Sequence, residues 1–418
     1  MTKHQLKNGL TVLLDPIPHV RSATIAVYIK GGSVTEQSDK QGVAHFVEHM
    51  LFKGTSTRTA KDIAMAIEGK GGYLNAFTSK DETCYHASVI DTEIYSVLDI
   101  LSDIYKNSLF AEEDVELERA VIVEEILKEH DDSEYLSQLL FLNSMREGTP
   151  YAGDIAGTVE SVKTITPYDL KKHMATTYTA PNTIISIAGN FDSKAILKYI
   201  DKCFSDLSSA EAPSIPEVIK TAQIGHVTQR ANVGQMYFCM GYDSHNARHT
   251  NRRDASVLNT ALGGEMYSRL FQQIRESRGL AYSIESNNFM NIPCGTLMIT
   301  GIINPKNWDT VLDIILNEIQ DISKNGLTTD ELELAKNTLI GKYVLHGESP
   351  SERCYQMATY EMIYGREITV DEYMRDVNAV TNNRIIDYVN CYLKPHLASY
   401  AFVTPKGNLF SRLFDKWA

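Results

Sequence analysis

Apolar and polar residues alternate near the start of the chain. Leu10 to Leu14 is an apolar run, and Ala23, Ile25, Val27 and Ile29 recur at every second position, the period of a half-buried strand. Gly31-Gly32 ends that run. The pattern then changes: Gln41 to Phe52 is largely apolar without alternation and predicts a helix. Thr59-Ala-Lys-Asp62 has the form of a capping box ahead of Ile63, Ala66 and Ile67. Gly69, Gly71 and Gly72 stop that helix, and Tyr73 to Thr78 and Thr83 to Val89 predict two paired strands. Ile94, Val97, Leu98, Leu101 and Ile104 mark an amphipathic helix, and a long one runs from Glu112 to about His130. Another opens at Thr166-Pro167, with a capping Thr and Pro at the first helical position. It leads to a strand at Thr183 to Ala188 and a helix opened by Asp192.

The pattern lapses at Ser208-Ser-Ala-Glu-Ala-Pro213-Ser-Ile-Pro216, a small, polar, proline-bearing stretch of the kind that links domains. A weak repeat supports a boundary there. "TVESVKTITPYDLKKHMATTYTAPNTIISIAGNFD" and "TVDEYMRDVNAVTNNRIIDYVNCYLKPHLASYAFVTPKGN" share the order helix, loop, helix, strand, glycine, at an offset of about 210 residues. The expectation is an α+β protein of two similar domains related by duplication, each a mainly antiparallel sheet packed with helices. The domains are 1–207 and 221–418, with a linker at 208–220.

Composition narrows the function. No apolar run approaches the ~18–20 residues of a transmembrane helix, and the opening residues resemble neither a secretory signal nor a transit peptide. A cytoplasmic protein with no membrane partner is expected. The six cysteines, Cys84, Cys203, Cys239, Cys294, Cys354 and Cys391, form no close pairs, which excludes a cysteine-type zinc knuckle and predicts reduced, mostly buried thiols. The formal net charge of −13 disfavours nucleic acid and favours a basic or extended polypeptide as partner.

The candidate chemistry lies in Gly42-Val-Ala-His45-Phe-Val-Glu48-His49. Residues four apart share a helix face, so His45 and His49 can present imidazoles to one metal ion, with Glu48 beside them to take a proton from water. This is the H-x-x-E-H arrangement. Such a site needs a third protein ligand, commonly a carboxylate. On the helix from Glu112, Glu118, Glu125 and Glu129 share one face, while Glu124 is turned away by about 100°. Helix geometry favours Glu125 or Glu118 and does not choose between them. His245 and His249, also four apart, lack a carboxylate at the base position and read as a surface pair.

"LKNGLTVLLD", "GVAHFVEHMLFKGT", "GGYLNAFTSKDETCYHASV", "LERAVIVEEI" and "RESRGLAYSI" together resemble the pitrilysin/insulinase family of zinc peptidases, and within it the bacterial relatives of the mitochondrial processing peptidase beta subunit. The resemblance covers nearly the whole chain. It implies Zn2+ held by His45, His49 and Glu125, the last lying 76 residues beyond the second histidine, with Glu118 as a supporting carboxylate. It also implies that Asn75 and Ala76 bind the substrate backbone and that Arg275 and Tyr282 donate hydrogen bonds to the oxyanion. No other cofactor is expected. The first domain is then catalytic and the second a non-catalytic copy. A homodimer would enclose a chamber in which each Arg275/Tyr282 pair serves the partner's zinc. The expected function is a zinc endopeptidase acting on extended, presequence-like, basic and unfolded peptides. The rival reading, a non-catalytic structural or peptide-binding subunit, is disfavoured because the whole motif is present.

Overall fold

The computed structural model describes residues 1–217 and 224–405. Residues 218–220 of the expected linker, and 221–223 and 406–418 of the expected second domain, lie outside the described residues, and with them the closing Lys406-Gly407-Asn408 of the repeat.

Two compact units interleave along the chain. The first comprises Met1–Leu127, Asp154–Ile215 and Leu345–Glu367; the second comprises Lys128–Gly153, Pro216–Val344 and the chain from Ile368 on. The passage at Ile215–Pro216 falls inside the expected linker. The chain also crosses between units after Leu127, Gly153, Val344 and Glu367, so a single break does not describe the division.

In the first unit the sheet runs, in spatial order, β1 (Thr2–Gln5), β2 (Thr11–Pro16), β6 (Thr183–Gly189), β3 (Ser22–Lys30), β5 (Glu82–Ile90) and β4 (Tyr73–Thr78). The β2–β6 pair is parallel and the other pairs are antiparallel. On one face, Ile25, Val27, Ile29, Tyr85 and Ala87 join a core with Phe46, Val47 and Met50 of α1 (Val43–Met50), Leu98 and Leu101 of α3 (Ile94–Asn107), and Ile122 and Ile126 of α4 (Glu112–Asp131). The strand period and the helix period thus meet in one apolar layer. Around it lie α2 (Ala60–Ile67), α6 (Val159–Thr164), α7 (Pro167–Thr177) and α8 (Ser193–Phe204). The capping boxes at Thr59 and Thr166 both form.

The opposite face is covered by α12 (Pro350–Tyr364), which comes from far along the chain. Ser186 Oγ donates to the Cys354 carbonyl at 2.7 Å, Tyr355 Oη lies 2.8 Å from His86 Nδ1, and Arg353 Nε donates to Asp15 at 2.6 Å.

The second unit repeats the plan. Its sheet runs β7 (His226–Ala231), β11 (Ser399–Pro405), β8 (Met236–Ser244), β10 (Gly295–Ile303) and β9 (Ala281–Met290), with β7–β11 parallel and the rest antiparallel. From β2 to β4, the first sheet has the same order and strand sense. The helix pair and strand α6, α7, β6 likewise match α13 (Val370–Asn378), α14 (Asn382–Tyr392), β11. Here α5 (Ser133–Met145), from the first half of the chain, packs Phe141 and Met145 against Cys239, Met298 and Ala401. The unit is completed by α9 (Arg252–Leu262), α10 (Trp308–Asn325) and most of α11 (Thr329–His346). The fold is α+β, in two similar sheet-and-helix units. Among the described residues no helix is long and apolar enough to cross a membrane.

Candidate metal centre

The first of the two helices that build the centre is α1. Its Val43, Phe46, Val47 and Met50 are buried, so the polar positions between them, His45, Glu48 and His49, are turned to the other side. The helix begins at Gly42, whose φ of +89° favours glycine, and a Cβ there would stand 2.3 Å from the Ala156 carbonyl oxygen. The second helix is α4, anchored by buried Val115, Ile122 and Ile126. Glu118 and Glu125 lie on it seven residues apart, two turns along one side.

These helices bring together three possible ligands. Glu125 Oε2 lies 3.5 Å from His49 Nε2 and 3.9 Å from His45 Nε2. One ligand atom from each of His45, His49 and Glu125 falls within 4.8 Å of the others. A tetrahedral zinc with bonds of about 2.0–2.1 Å separates its ligand atoms by about 3.3 Å, so the donor set suits such an ion with small side-chain adjustments. Glu118, which helix geometry left as an alternative, is buried behind His49 instead. Its Oε1 lies 2.8 Å from His49 Nδ1, and Lys53 pairs with its other oxygen. In the neutral imidazole this contact keeps the proton on Nδ1, which leaves the Nε2 lone pair directed to the cluster.

The electrostatics follow from burial and these contacts. Burial, reinforced by His49, lowers His45 to about 4, so its imidazole is neutral near pH 7. Burial would lower His49 too, but the Glu118 hydrogen bond and the charges of Glu125, Glu118 and Glu48 outweigh it and raise its pKa. Glu118 is held below the usual carboxylate range: His49 and Lys53 overcome the opposing effect of burial. Glu48 is pushed up, chiefly by burial, and its Oε2 accepts a 2.6 Å hydrogen bond from Thr78 Oγ1 at the end of β4.

Among the described residues the strand β4 is the last in its sheet and pairs only with β5. Asn75 Nδ2 donates to Tyr73 Oη at 2.6 Å, and the Ala76 N–H is 2.9 Å from Asn75 Oδ1. Arg275 and Tyr282 belong to the second unit, and the three-ligand cluster is built without them. Arg275 lies in a π-helical turn, with its guanidinium carbon 5.0 Å from the Phe271 ring centre, and Tyr282 is 77% exposed on β9.

His245 departs from its expected surface position. It is buried, stacked on His249 at 3.7 Å, with Nδ1 2.9 Å from the Asn251 carbonyl oxygen. The turn at Asn246–Asn251 brings His245 against Tyr388 and Tyr392, and no third ligand joins the pair among the described residues. Five of the six cysteines are buried and Cys391 is exposed. Lys53, Thr78 and Glu36 escaped the sequence reading. Glu36 accepts hydrogen bonds from the backbone of α1 at Gly42 and Ala44. Only the Lys53 spacing, one turn beyond His49, offered a signal.

Paired imidazoles and carboxylates on two helices beside a sheet edge form a candidate metal site on an α+β fold. The chain belongs to peptidase family M16. The family model described as "Insulinase (Peptidase family M16)" matches residues 11–159, and that described as "Peptidase M16 inactive domain" matches 164–339. An uncharacterized zinc protease of Mycobacterium leprae is 34% identical over 384 residues, covering 91% of this chain and 86% of that protein. The uncharacterized zinc protease YmxG of Bacillus subtilis is 32% identical over 409 residues, covering 97% and 99%. In fold, the chain is similar to a protease from Helicobacter pylori, with a TM-score of 0.90 at 22% identity over 97% of this chain and 99% of that one.

Proposed function

We propose that the chain is a zinc-dependent endopeptidase that hydrolyses extended peptides. The observation that carries this reading is the convergence of His45 Nε2, His49 Nε2 and Glu125 Oε2, with Glu48 on the same helix as both imidazoles. These three atoms would hold a zinc ion, which when bound would supply Lewis-acid polarisation of the scissile carbonyl and a lowered pKa for water at the site. Glu48 takes the proton of the attacking water and returns it to the leaving amine; Thr78 holds the carboxylate in place for both transfers. Glu118 fixes the His49 tautomer.

The free edge of β4, with Asn75 and Ala76, holds the substrate main chain as an added strand, which gives affinity with little demand on sequence. Arg275 and Tyr282 are assigned to the developing oxyanion, each pair serving the zinc of a second copy in a homodimer. Presequence-like, basic, unfolded peptides are the favoured substrates, since the chain carries a net charge of −13, and the site of action is the cytoplasm.

A quenched basic peptide, incubated with wild type, Glu48→Gln, chelated and zinc-restored samples, tests the reading. Cleavage should vanish on chelation and return with zinc. Glu48→Gln should keep its zinc and lose roughly 10²–10⁴-fold in rate. Zinc retention without turnover in the wild type would instead favour a non-catalytic subunit of the same family.

A further inference from the structure

We propose that Glu36 is a positioning residue of the metal centre: its carboxylate clamps the start of α1 and so fixes the turn of helix that carries His45. The proposal rests on reading that centre as a zinc site. A helix start leaves backbone N–H groups without intrahelical partners. In α2, α6 and α7 a threonine at the N-cap supplies the missing acceptor. No such residue can serve α1, because its N-cap is Gly42, held at positive φ with no room for a side chain beside Ala156. Glu36, six residues upstream, supplies both acceptors instead. The Gly42 N–H donates to Oε2 at 2.9 Å and the Ala44 N–H to Oε1 at 2.8 Å.

Two bonds to two oxygens add to the buried Val43, Phe46, Val47 and Met50 in fixing the rotation of the helix about its own axis. That rotation matters here. The helix has eight residues, about 12 Å, too short to hold its own register. A rotation of about 10° would carry a side-chain atom at its rim about 1 Å, several times the ~0.2 Å tolerance of a metal ligand. His45 directly follows the clamped Ala44. The clamp is itself built in: Glu36 is partly buried in the loop before α1 and faces Lys80, whose other charged neighbours are Asp154 and Asp81.

Glu36→Gln keeps the size of the side chain but turns an NH2 donor toward one of the two N–H groups, so a single bond survives. Zinc affinity by chelator competition should fall about tenfold, the range for a lost residue that orients a ligand. In zinc-free protein, amide hydrogen exchange at Gly42 and Ala44 should speed up. Glu36→Asp, with two oxygens on a shorter stem, should fall between. A Glu36→Gln protein with a lower melting temperature but wild-type zinc affinity would mark an ordinary helix cap and overturn the proposal. If the variant does not fold, rapid exchange of the Ala44 amide in the wild type would overturn it equally. A wild type that binds no zinc would sink the peptidase reading and this role with it; a zinc-binding protein indifferent to Glu36→Gln sinks this role alone.

Discussion

Gly42 shows how much of the centre depends on a residue with no chemistry of its own. Its positive φ and the Ala156 carbonyl beneath it leave no space for a methyl group. Gly42→Ala should therefore destabilise the protein by about 1–3 kcal/mol from backbone strain, with the close contact adding to it. Urea unfolding is the check, and the slope of the transition should stay unchanged. At this scale the sequence was legible where the candidate site depends on spacing within one helix: His45, Glu48 and His49 are adjacent on α1 because four residues make about one turn. It was less legible where a partner comes from elsewhere. Helix geometry left Glu118 and Glu125 open, and the structure separates them by depth, one buried behind His49 and the other at the ligand cluster. Glu36 could not be read, because its contact spans a loop rather than the three-residue spacing of a capping box.

The elements themselves were largely legible, since strand and helix periods are local properties. The expected bounds of β4, Tyr73 to Thr78, agree residue for residue with the structure. The fold of α5 against the second sheet was not foreseen. Its apolar residues do not form one stripe, and an apolar face does not say what will cover it. One consequence at this scale concerns the paired strands β3 and β5 and the loop that follows β3. Burial pushes both Glu82 and Glu36 up to about 7, with Asp81 adding to the shift of Glu82. A raised carboxylate favours the folded state below the unfolded value of 4.5, and this advantage is lost as pH rises toward 7. These two groups should consequently contribute a fall in the denaturation midpoint of zinc-free protein between pH 5 and pH 7.5, against which buried His45, His173 and His245, each lowered to about 4, contribute a rise as pH climbs toward 6.5. Glu82→Gln should lessen the fall; a profile identical to wild type would show that Glu82 does not titrate in this window.

For the whole molecule, the sharpest prediction concerns shared sites. Glu48→Gln and Arg275→Ala should each be inactive alone. If one chain's Arg275 serves the other chain's zinc, mixing and re-equilibrating the two should restore about a quarter of wild-type activity, since half the dimers are mixed and each has one intact site. No recovery despite verified subunit exchange would place each Arg275 with its own chain's zinc or outside the chemistry. Duplication was visible in the sequence as two similar segments, and the matching strand orders of the two sheets agree with it.

The exchange of α5 and α12 between the units also bears on how the protein is made. The ribosome finishes β6 and α8 long before it reaches Leu345, so one face of the first sheet lacks its cover while more than a hundred residues are still to be added. At typical synthesis rates of 5–20 residues per second that interval is on the order of ten seconds. During it, the newborn chain leaves the backs of β3 and β6 uncovered, and neither unit can close without a segment made with the other.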